Sequence, residues 1–332
     1  MRYNSDNLIP IQLPNWFFKN MSSTSLFRYG ISAALLLLIL SQVDLSVLLN
    51  ETFKTNYVLV FFAVLAIIAQ IMFLSMRWHS LMNSGRVVVP FKTSLFINLA
   101  GYFANILFIT SIGGVVAKSG LAIKGGMSVT HSIFIPFFDR FMTLAALIAF
   151  TALGLPLLLD IVQNNILRAL SLSVVFVIST IALCIIVVRS DLFEKYVLSN
   201  EKRSEMLATV KSALRNIPLM ISTMLQSIVA QAFFILAVYI LSLGMGYEGS
   251  AITFVALLPI LTLISSLPIS FGGWGVREGV FVYGLGLIGF PMESAFLLSL
   301  QVGLVTLIAP LLLGVPYLWG RYYVIDTFQT KN

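Results

Sequence analysis

The stretch SFGGWGVREG, residues 270–279, is the most informative part of the chain about its fold. It places four glycines, Arg277 and Glu278 between two apolar runs, 251–269 and 280–290. Charge and irregular backbone at membrane depth are tolerated only where protein or a water-filled cavity surrounds them, so the stretch is a candidate functional site. The structural alternative is a loop at the lipid headgroups in which Arg277 and Glu278 pair with each other.

A second stretch, SIGGVVAKSG at residues 111–120, repeats this pattern in the first half of the chain. Both read Ser-apolar-Gly-Gly-x-x-apolar, then Lys118 or Arg277, then any residue and Gly. Broken apolar segments at matching places in two halves are typical of secondary transporters, whose binding site lies at the interface between the repeats.

Composition indicates the class of protein. Hydrophobic residues make up 59% of the chain and charged residues only 10%, with a mean hydropathy of +0.98. These values predict a polytopic α-helical membrane protein. The net charge of +7 is explained by basic cytoplasmic loops rather than by nucleic-acid binding. The single cysteine, Cys184, offers no disulfide or metal cluster, and we expect neither a metal site nor a cofactor.

Apolar runs and basic loops together predict the topology. The predicted spans are residues 26–49, 57–76, 128–159, 166–188, 217–243 and 291–320. Two loops rich in basic residues, 77–92 and 189–215, are assigned to the cytoplasm. Each Gly-Gly stretch then lies in a hairpin that enters the membrane and returns to the same side.

The predicted fold is therefore an all-α polytopic membrane protein with about six full spans and two re-entrant hairpins in two inverted-topology repeats. The chain forms a single membrane domain, 1–332. Residues 1–25 are a cytoplasmic interfacial lead-in without a removable signal peptide, 26–160 the first repeat and 161–320 the second. The alternative is a plain bundle of eight or nine spans. We expect a multi-pass protein of the cytoplasmic (inner) membrane with both termini in the cytoplasm.

The two glycine stretches have the chemistry of an anion site. A helix that starts after Gly-Gly presents free N–H groups and the positive end of its dipole, and Lys118 and Arg277 lie about one turn further on. Glu278 has three readings: it binds a cationic headgroup, couples to protons, or neutralises an arginine, of which the third is preferred. The predicted substrate-binding residues are Gly113, Gly114, Lys118, Asp139, Arg140, Gly272, Gly273, Gly275, Arg277 and Glu278.

Asp139 and Arg140 are adjacent charges within an apolar run. Such charges are costly in a membrane unless they are paired or face a wet cavity. We expect Arg140 to be a further cation of the cavity, with Pro136 loosening the helix nearby. The alternative is a pair near the cytoplasmic interface, with Arg140 extending to the headgroups.

Residues 268–279 resemble the signature of the lysylphosphatidylglycerol synthase transmembrane-region family, the flippase-like integral membrane proteins. Arg77-Trp78, the stretch 111–118 and Asp139-Arg140 resemble three weaker family motifs. The similarity covers roughly residues 27–320. The chain departs from the family pattern by having Lys118 in place of arginine, Asp139 in place of glutamate and Thr143 where a second acid is common.

The resemblance implies that the protein moves or handles a lipid without synthesising it, since no synthase domain accompanies it here. We expect no catalytic residues, a lipid with an anionic phosphate headgroup as substrate, and a lipid synthase or a glycosyltransferase as a further candidate partner. Two other classes stay open. One is a non-transporting accessory subunit of a glycolipid or polysaccharide assembly pathway, and the other is an intramembrane lipid-modifying enzyme.

Overall fold

The computed structural model describes residues 32, 34–85, 87–108, 111–161, 212, 214–247, 249–266, 274–319 and 329–330. Nearly all of them are helical. The helices are α1 (Ala34–Leu40), α2 (Leu45–Lys54), α3 (Tyr57–Met82), α4 (Phe91–Phe108), α5 (Ser111–Lys124), α6 (Val129–Ile161), α7 (Ile217–Gly244), α8 (Ala251–Ser265), α9 (Val276–Gly286) and α10 (Met292–Trp319). Two short strands, β1 (Val87–Val88) and β2 (Gln329–Thr330), pair antiparallel.

Within the described ranges, four helices are long and apolar enough to cross a bilayer: Tyr57–Met82, Val129–Gly154, Ile217–Gly244 and Met292–Gly314. The prediction of an all-α polytopic membrane protein is thus confirmed. The exact number of spans and the inverted repeats stay predictions. The lead-in at 1–25 and the predicted span at 166–188 lie outside the described residues.

The first predicted span, 26–49, is not one straight helix. Its described part divides into α1 and α2, which are bent by 86° relative to each other. The cause is Asp44, whose Oδ1 accepts hydrogen bonds from the N–H of Ser46 at 2.8 Å and from its hydroxyl at 2.7 Å. Asp44 therefore caps a new helix instead of continuing the first one.

The second predicted span was also too short. We expected it to end at Met76, with Arg77 in a cytoplasmic loop, but α3 continues to Met82. Arg77 consequently lies inside the helix and is buried. Arg77 contacts Asp139 on α6 and Ser227 on α7, and His79 contacts Ser94 on α4.

The two glycine stretches belong to short helices. The first stretch forms the start of α5, which packs against α4, and the described part of the second leads into α9, which packs against α8. Helices α5, α8 and α9 have 14, 15 and 11 residues, which is at most about 23 Å at 1.5 Å per residue. Each is shorter than the roughly 30 Å hydrocarbon core of a bilayer.

The main hydrophobic core brings both halves of the chain together. The most extensive helix contact joins α3 to α7, and the core cluster extends to α8, α9 and α10. Helix α6 approaches α8 so closely that a Cβ on Gly154 would lie 2.5 Å from the Cα of Ala256. This packing holds the short helices at the centre of the molecule.

Candidate functional site: a cationic cavity between the two halves

A cavity of about 610 Å³ lies where the short helices meet α3, α6, α7 and α10. Four basic side chains and one acidic side chain line it: Arg77, Lys118, Arg140, Arg277 and Asp139. Neutral polar side chains complete the wall: Gln70, Tyr102, Asn105, Thr143, Ser227, Gln231 and Thr306. Lys118 and Arg277, which occupy matching positions in the two stretches, therefore contribute to one cavity.

Lys118 is held between aromatic rings on α3 and α4. Its Nζ lies 4.6 Å from the centre of the Trp78 ring and 5.8 Å from that of Tyr102, within the range of cation–π attraction. Gly101 makes room for its stem, since a Cβ there would collide with Lys118 Cε. No carboxylate among the described residues pairs with this ammonium group.

The helix that carries Lys118 is anchored to α6 through a proline. Pro136 has no N–H to donate to the carbonyl of Ser132, four residues earlier. That carbonyl instead accepts a hydrogen bond from Ser119 Oγ at 2.9 Å. We predicted that Pro136 loosens the helix, but α6 remains continuous from Val129 to Ile161, and the carbonyl freed by the proline links α6 to α5 instead.

Arg277 lies in the first turn of α9, beside Trp274 and Glu278. Its guanidinium carbon is 4.8 Å from the centre of the Trp274 ring, and its Nη2 lies 2.5 Å from Glu278 Oε1. On α10, Gly303 leaves space for the guanidinium, because a Cβ there would collide with Nη2. The Arg277 side chain is 18% exposed, whereas Glu278 is fully buried.

Glu278 does not line the cavity. Its Oε2 accepts a hydrogen bond from the N–H of Gly275 at 2.6 Å, and its Oε1 accepts from Arg277. This geometry agrees with the preferred reading, in which the carboxylate neutralises the arginine. It also adds a second role, because Glu278 caps the start of α9.

Arg77 and Asp139 form a buried ion pair on the cavity wall. Arg77 Nε donates to Asp139 Oδ1 at 2.8 Å, and the side chains are 3% and 15% exposed. The two remaining nitrogens of the guanidinium donate to Ser227 Oγ at 2.8 Å and to Thr143 Oγ1 at 2.9 Å. Asp139, which we placed in the substrate-binding set, thus has Arg77 as its structural partner.

Arg140, unlike the adjacent Asp139, has no ion-pair partner among the described residues. It lies on the cavity wall as predicted, and the residue is exposed. Among the described residues, no carboxylate and no hydrogen-bond acceptor contacts its guanidinium. Together with Lys118, it supplies positive charge that the described part of the protein does not neutralise.

The backbone of the glycine stretches is less available than the sequence suggested. Helix α5 begins at Ser111, before Gly113 and Gly114, so Lys118 lies two turns into the helix rather than one. The N–H of Gly114 donates to Asn105 Oδ1 at 2.7 Å, just as the N–H of Gly275 donates to Glu278. The positive charge of the cavity therefore comes from side-chain cations rather than from these two N–H groups.

The glycines themselves have packing and turn roles. A Cβ on Gly114 would lie 2.5 Å from Asn105 Oδ1 and 2.7 Å from the carbonyl oxygen of Gly101. Gly275 has φ = 84°, a conformation that side chains other than glycine rarely adopt, and directly precedes α9. Gly113 is buried in α5, whereas Gly272 and Gly273 lie outside the described residues.

Several cavity residues were not predicted from the sequence. Gln70 and Gln231 both line the cavity, and Gln231 Nε2 has no hydrogen-bond partner among the described residues. Tyr102 and Gly303 gave no signal in the sequence beyond their residue type, and Trp78 was noted only as part of the Arg77-Trp78 motif. In the described ranges, no group of three His, Cys, Asp or Glu side chains has the arrangement of a metal site.

Comparison with known proteins gives one clear result. The model of a family described as Lysylphosphatidylglycerol synthase TM region matches residues 25–314, which is most of the chain. This match confirms the resemblance carried by residues 268–279. Neither the curated proteins nor the solved structures give a match to the chain.

Proposed function

The chain belongs to the lysylphosphatidylglycerol synthase transmembrane-region family, and we propose that it translocates a lipid with an anionic phosphate headgroup between the two leaflets. The observation that supports this proposal is the cavity itself. It lies among membrane helices and is lined by four basic side chains against one acidic side chain. A volume of about 610 Å³ falls in the range of small-molecule sites, so it suits a headgroup whose acyl chains stay in the bilayer.

The proposed role is transport without catalysis. Asp139, which lines the cavity, is bonded to Arg77, and Glu278, which lies behind Arg277, is bonded to that arginine. In the described part of the chain, neither is paired with a second carboxylate or with a histidine, which are the usual partners for general acid–base chemistry. The proposed partner is the lipid, and a synthase or glycosyltransferase would supply or consume it.

We also propose that the protein resides in the cytoplasmic (inner) membrane with both termini in the cytoplasm. The basic loop at 189–215 supports this orientation through the positive-inside rule. A C-terminal fluorescent-protein fusion should fluoresce, and an alkaline phosphatase fusion at the same position should be inactive. The reverse pattern would refute the orientation.

The test of transport is a leaflet-accessibility assay in liposomes that contain the purified full chain and a labelled anionic phospholipid. We expect wild type to move the lipid and Lys118→Gln to slow it by about tenfold or more, the effect of losing one charge-assisted hydrogen bond. Lys124→Gln is the matched control, because Lys124 is exposed on the same helix and does not line the cavity.

Arg277 needs a paired substitution in this assay. Replacing it alone would leave the buried Glu278 carboxylate without its cation, which costs folding stability rather than substrate binding. In Arg277→Gln/Glu278→Gln, the glutamine at 278 can still accept from the N–H of Gly275. We expect this double variant to fold and to lose most translocation. Full transport by folded Lys118→Gln and by the double variant would refute the proposed site.

A further inference from the structure

The cations of the cavity fall into two kinds. Arg77 is neutralised by Asp139, and Arg277 is neutralised by Glu278. Lys118 and Arg140 have no carboxylate partner among the described residues. The described cavity thus carries two uncompensated positive charges, one from the first glycine stretch and one from α6.

Two buried hydrogen-bond donors lack partners in the described part of the chain, one on the wall of the large cavity and one on a small cavity that shares Lys118 and Arg140 with it. Trp78 Nε1 is buried and unpaired, and Trp78 lines a small cavity of about 30 Å³ together with Lys118, Asp139 and Arg140. Gln231 Nε2 is also unpaired, and its side chain, 6% exposed as a residue, lies on the wall of the large cavity. Indole and amide N–H groups, ammonium and guanidinium all donate and do not accept.

From this charge and donor pattern we propose that the cavity recognises a terminal phosphate group carrying two negative charges, as in a phosphomonoester or a diphosphate. This inference rests on the proposed function and specifies its substrate class. A doubly ionised terminal phosphate matches the two free cations in charge, and its three terminal oxygens accept from the free donors. A phosphodiester has one charge and leaves one cation unmatched.

A cationic headgroup fits the cavity less well. Both carboxylates at the site are engaged by arginines, so the described residues provide no free anionic partner for an ammonium group. The rings of Trp78 and Tyr102 already face Lys118. An aminoacylated headgroup would therefore place positive charge against positive charge.

The test compares two lipids that differ in the ionisation of the phosphate. Binding of short-chain phosphatidic acid and of short-chain phosphatidylglycerol to the detergent-solubilised full chain is measured by calorimetry at pH 8 and pH 5. The second ionisation of a phosphomonoester lies near pH 6, whereas the diester keeps one charge throughout. We expect phosphatidic acid to bind about tenfold tighter or more at pH 8, and the ratio to approach one at pH 5.

Titration of the protein does not produce this result. The groups at the cavity that can change charge are Lys118, Asp139, Tyr102 and the adjacent Glu278. Any proton that one of them gains at the lower pH adds positive charge, which strengthens anion binding and so opposes the expected change. Because the charge of phosphatidylglycerol is the same at both pH values, its binding measures the effect of protein titration separately.

Variants connect the preference to the two free cations. At pH 8, Lys118→Gln and Arg140→Gln should each reduce the preference for phosphatidic acid over phosphatidylglycerol by about tenfold or to unity. Lys124→Gln should leave this preference unchanged. Equal affinity for both lipids at pH 8 would overturn this inference but leave lipid translocation intact. Competition with inorganic phosphate distinguishes a lipid headgroup from a soluble phosphate as the ligand. Phosphate that binds as tightly as phosphatidic acid would mean a soluble ligand and would count against the lipid proposal itself.

Discussion

Each arginine of the cavity is defined by what its guanidinium touches. Arg77 bonds to Asp139, Ser227 and Thr143 through its three nitrogens, so the protein holds its guanidinium in place. Arg140, in contrast, has no such partners among the described residues. Arg77 is therefore a structural residue that fixes α3, α6 and α7 relative to one another, whereas Arg140 is available to bind.

Because Arg77 is paired with Asp139, replacing Arg77 alone should destabilise the protein more than replacing both residues. Arg77→Leu should lower the free energy of unfolding by about 3 kcal/mol or more, because it leaves the mostly buried Asp139 carboxylate without its cation. Arg77→Leu/Asp139→Leu should recover much of that loss, since replacement of a whole buried pair by apolar residues is often close to neutral. Thermal unfolding in detergent measures both. Equal losses in the single and double variants would contradict the ion-pair account.

The sequence reveals part of this site and hides the rest for a physical reason. Lys118, Asp139, Arg140 and Arg277 are recognisable because charge is rare and costly in apolar segments. Arg77 has the same signal, but its position at the end of an apolar run also fits a loop. Its true partners lie 62, 66 and 150 residues away, and no local pattern encodes such contacts.

At the scale of the elements, the short helices depend on close backbone approach. Asn105 on α4 accepts from the N–H of Gly114 on α5, and the carbonyl of Gly101 faces the same glycine. The two helices can meet at this distance only because residue 114 has no side chain. This contact places Lys118, one helical turn further on, against Trp78 and Tyr102.

Two glycines of α5 provide a matched test of that contact. Gly114→Ala should cost about 1–3 kcal/mol of stability and slow translocation, because the new methyl group collides with Asn105 and the backbone of Gly101. Gly120→Ala should be neutral or stabilising by up to about 1 kcal/mol, since nothing lies within 4 Å of its Cβ and alanine favours the helix. Unfolding temperatures of the two variants in detergent are compared. A Gly114→Ala protein as stable as Gly120→Ala would refute the close approach.

Element boundaries were predictable where hydrophobicity alone decides them. The helices α7 and α10 begin and end close to the predicted limits, since long apolar runs fix them. The bend between α1 and α2 was missed, although Asp44 followed by Ser46 is a possible helix cap. A cap inside an apolar run competes with continuation of the helix, and in the bent arrangement α2 also packs against α10.

At the scale of the whole molecule, the cavity lies between the two halves of the chain. The first half contributes α3 to α6, and the second contributes α7, α9 and α10. Neither half alone could surround a charged headgroup with protein, which is what polar groups at membrane depth require. We therefore propose that an anionic headgroup enters this cavity.

The most direct measurement is photo-capture of lipid by a benzophenone amino acid placed at Thr306 or at Leu304. Thr306 lines the cavity, whereas Leu304 lies on the same helix and is 54% exposed on the outer surface. In membranes of mixed phosphatidylcholine and anionic phospholipid, capture at Thr306 should be enriched in the anionic lipid, while capture at Leu304 should follow bulk composition. The same lipid ratio at both positions would contradict the claim.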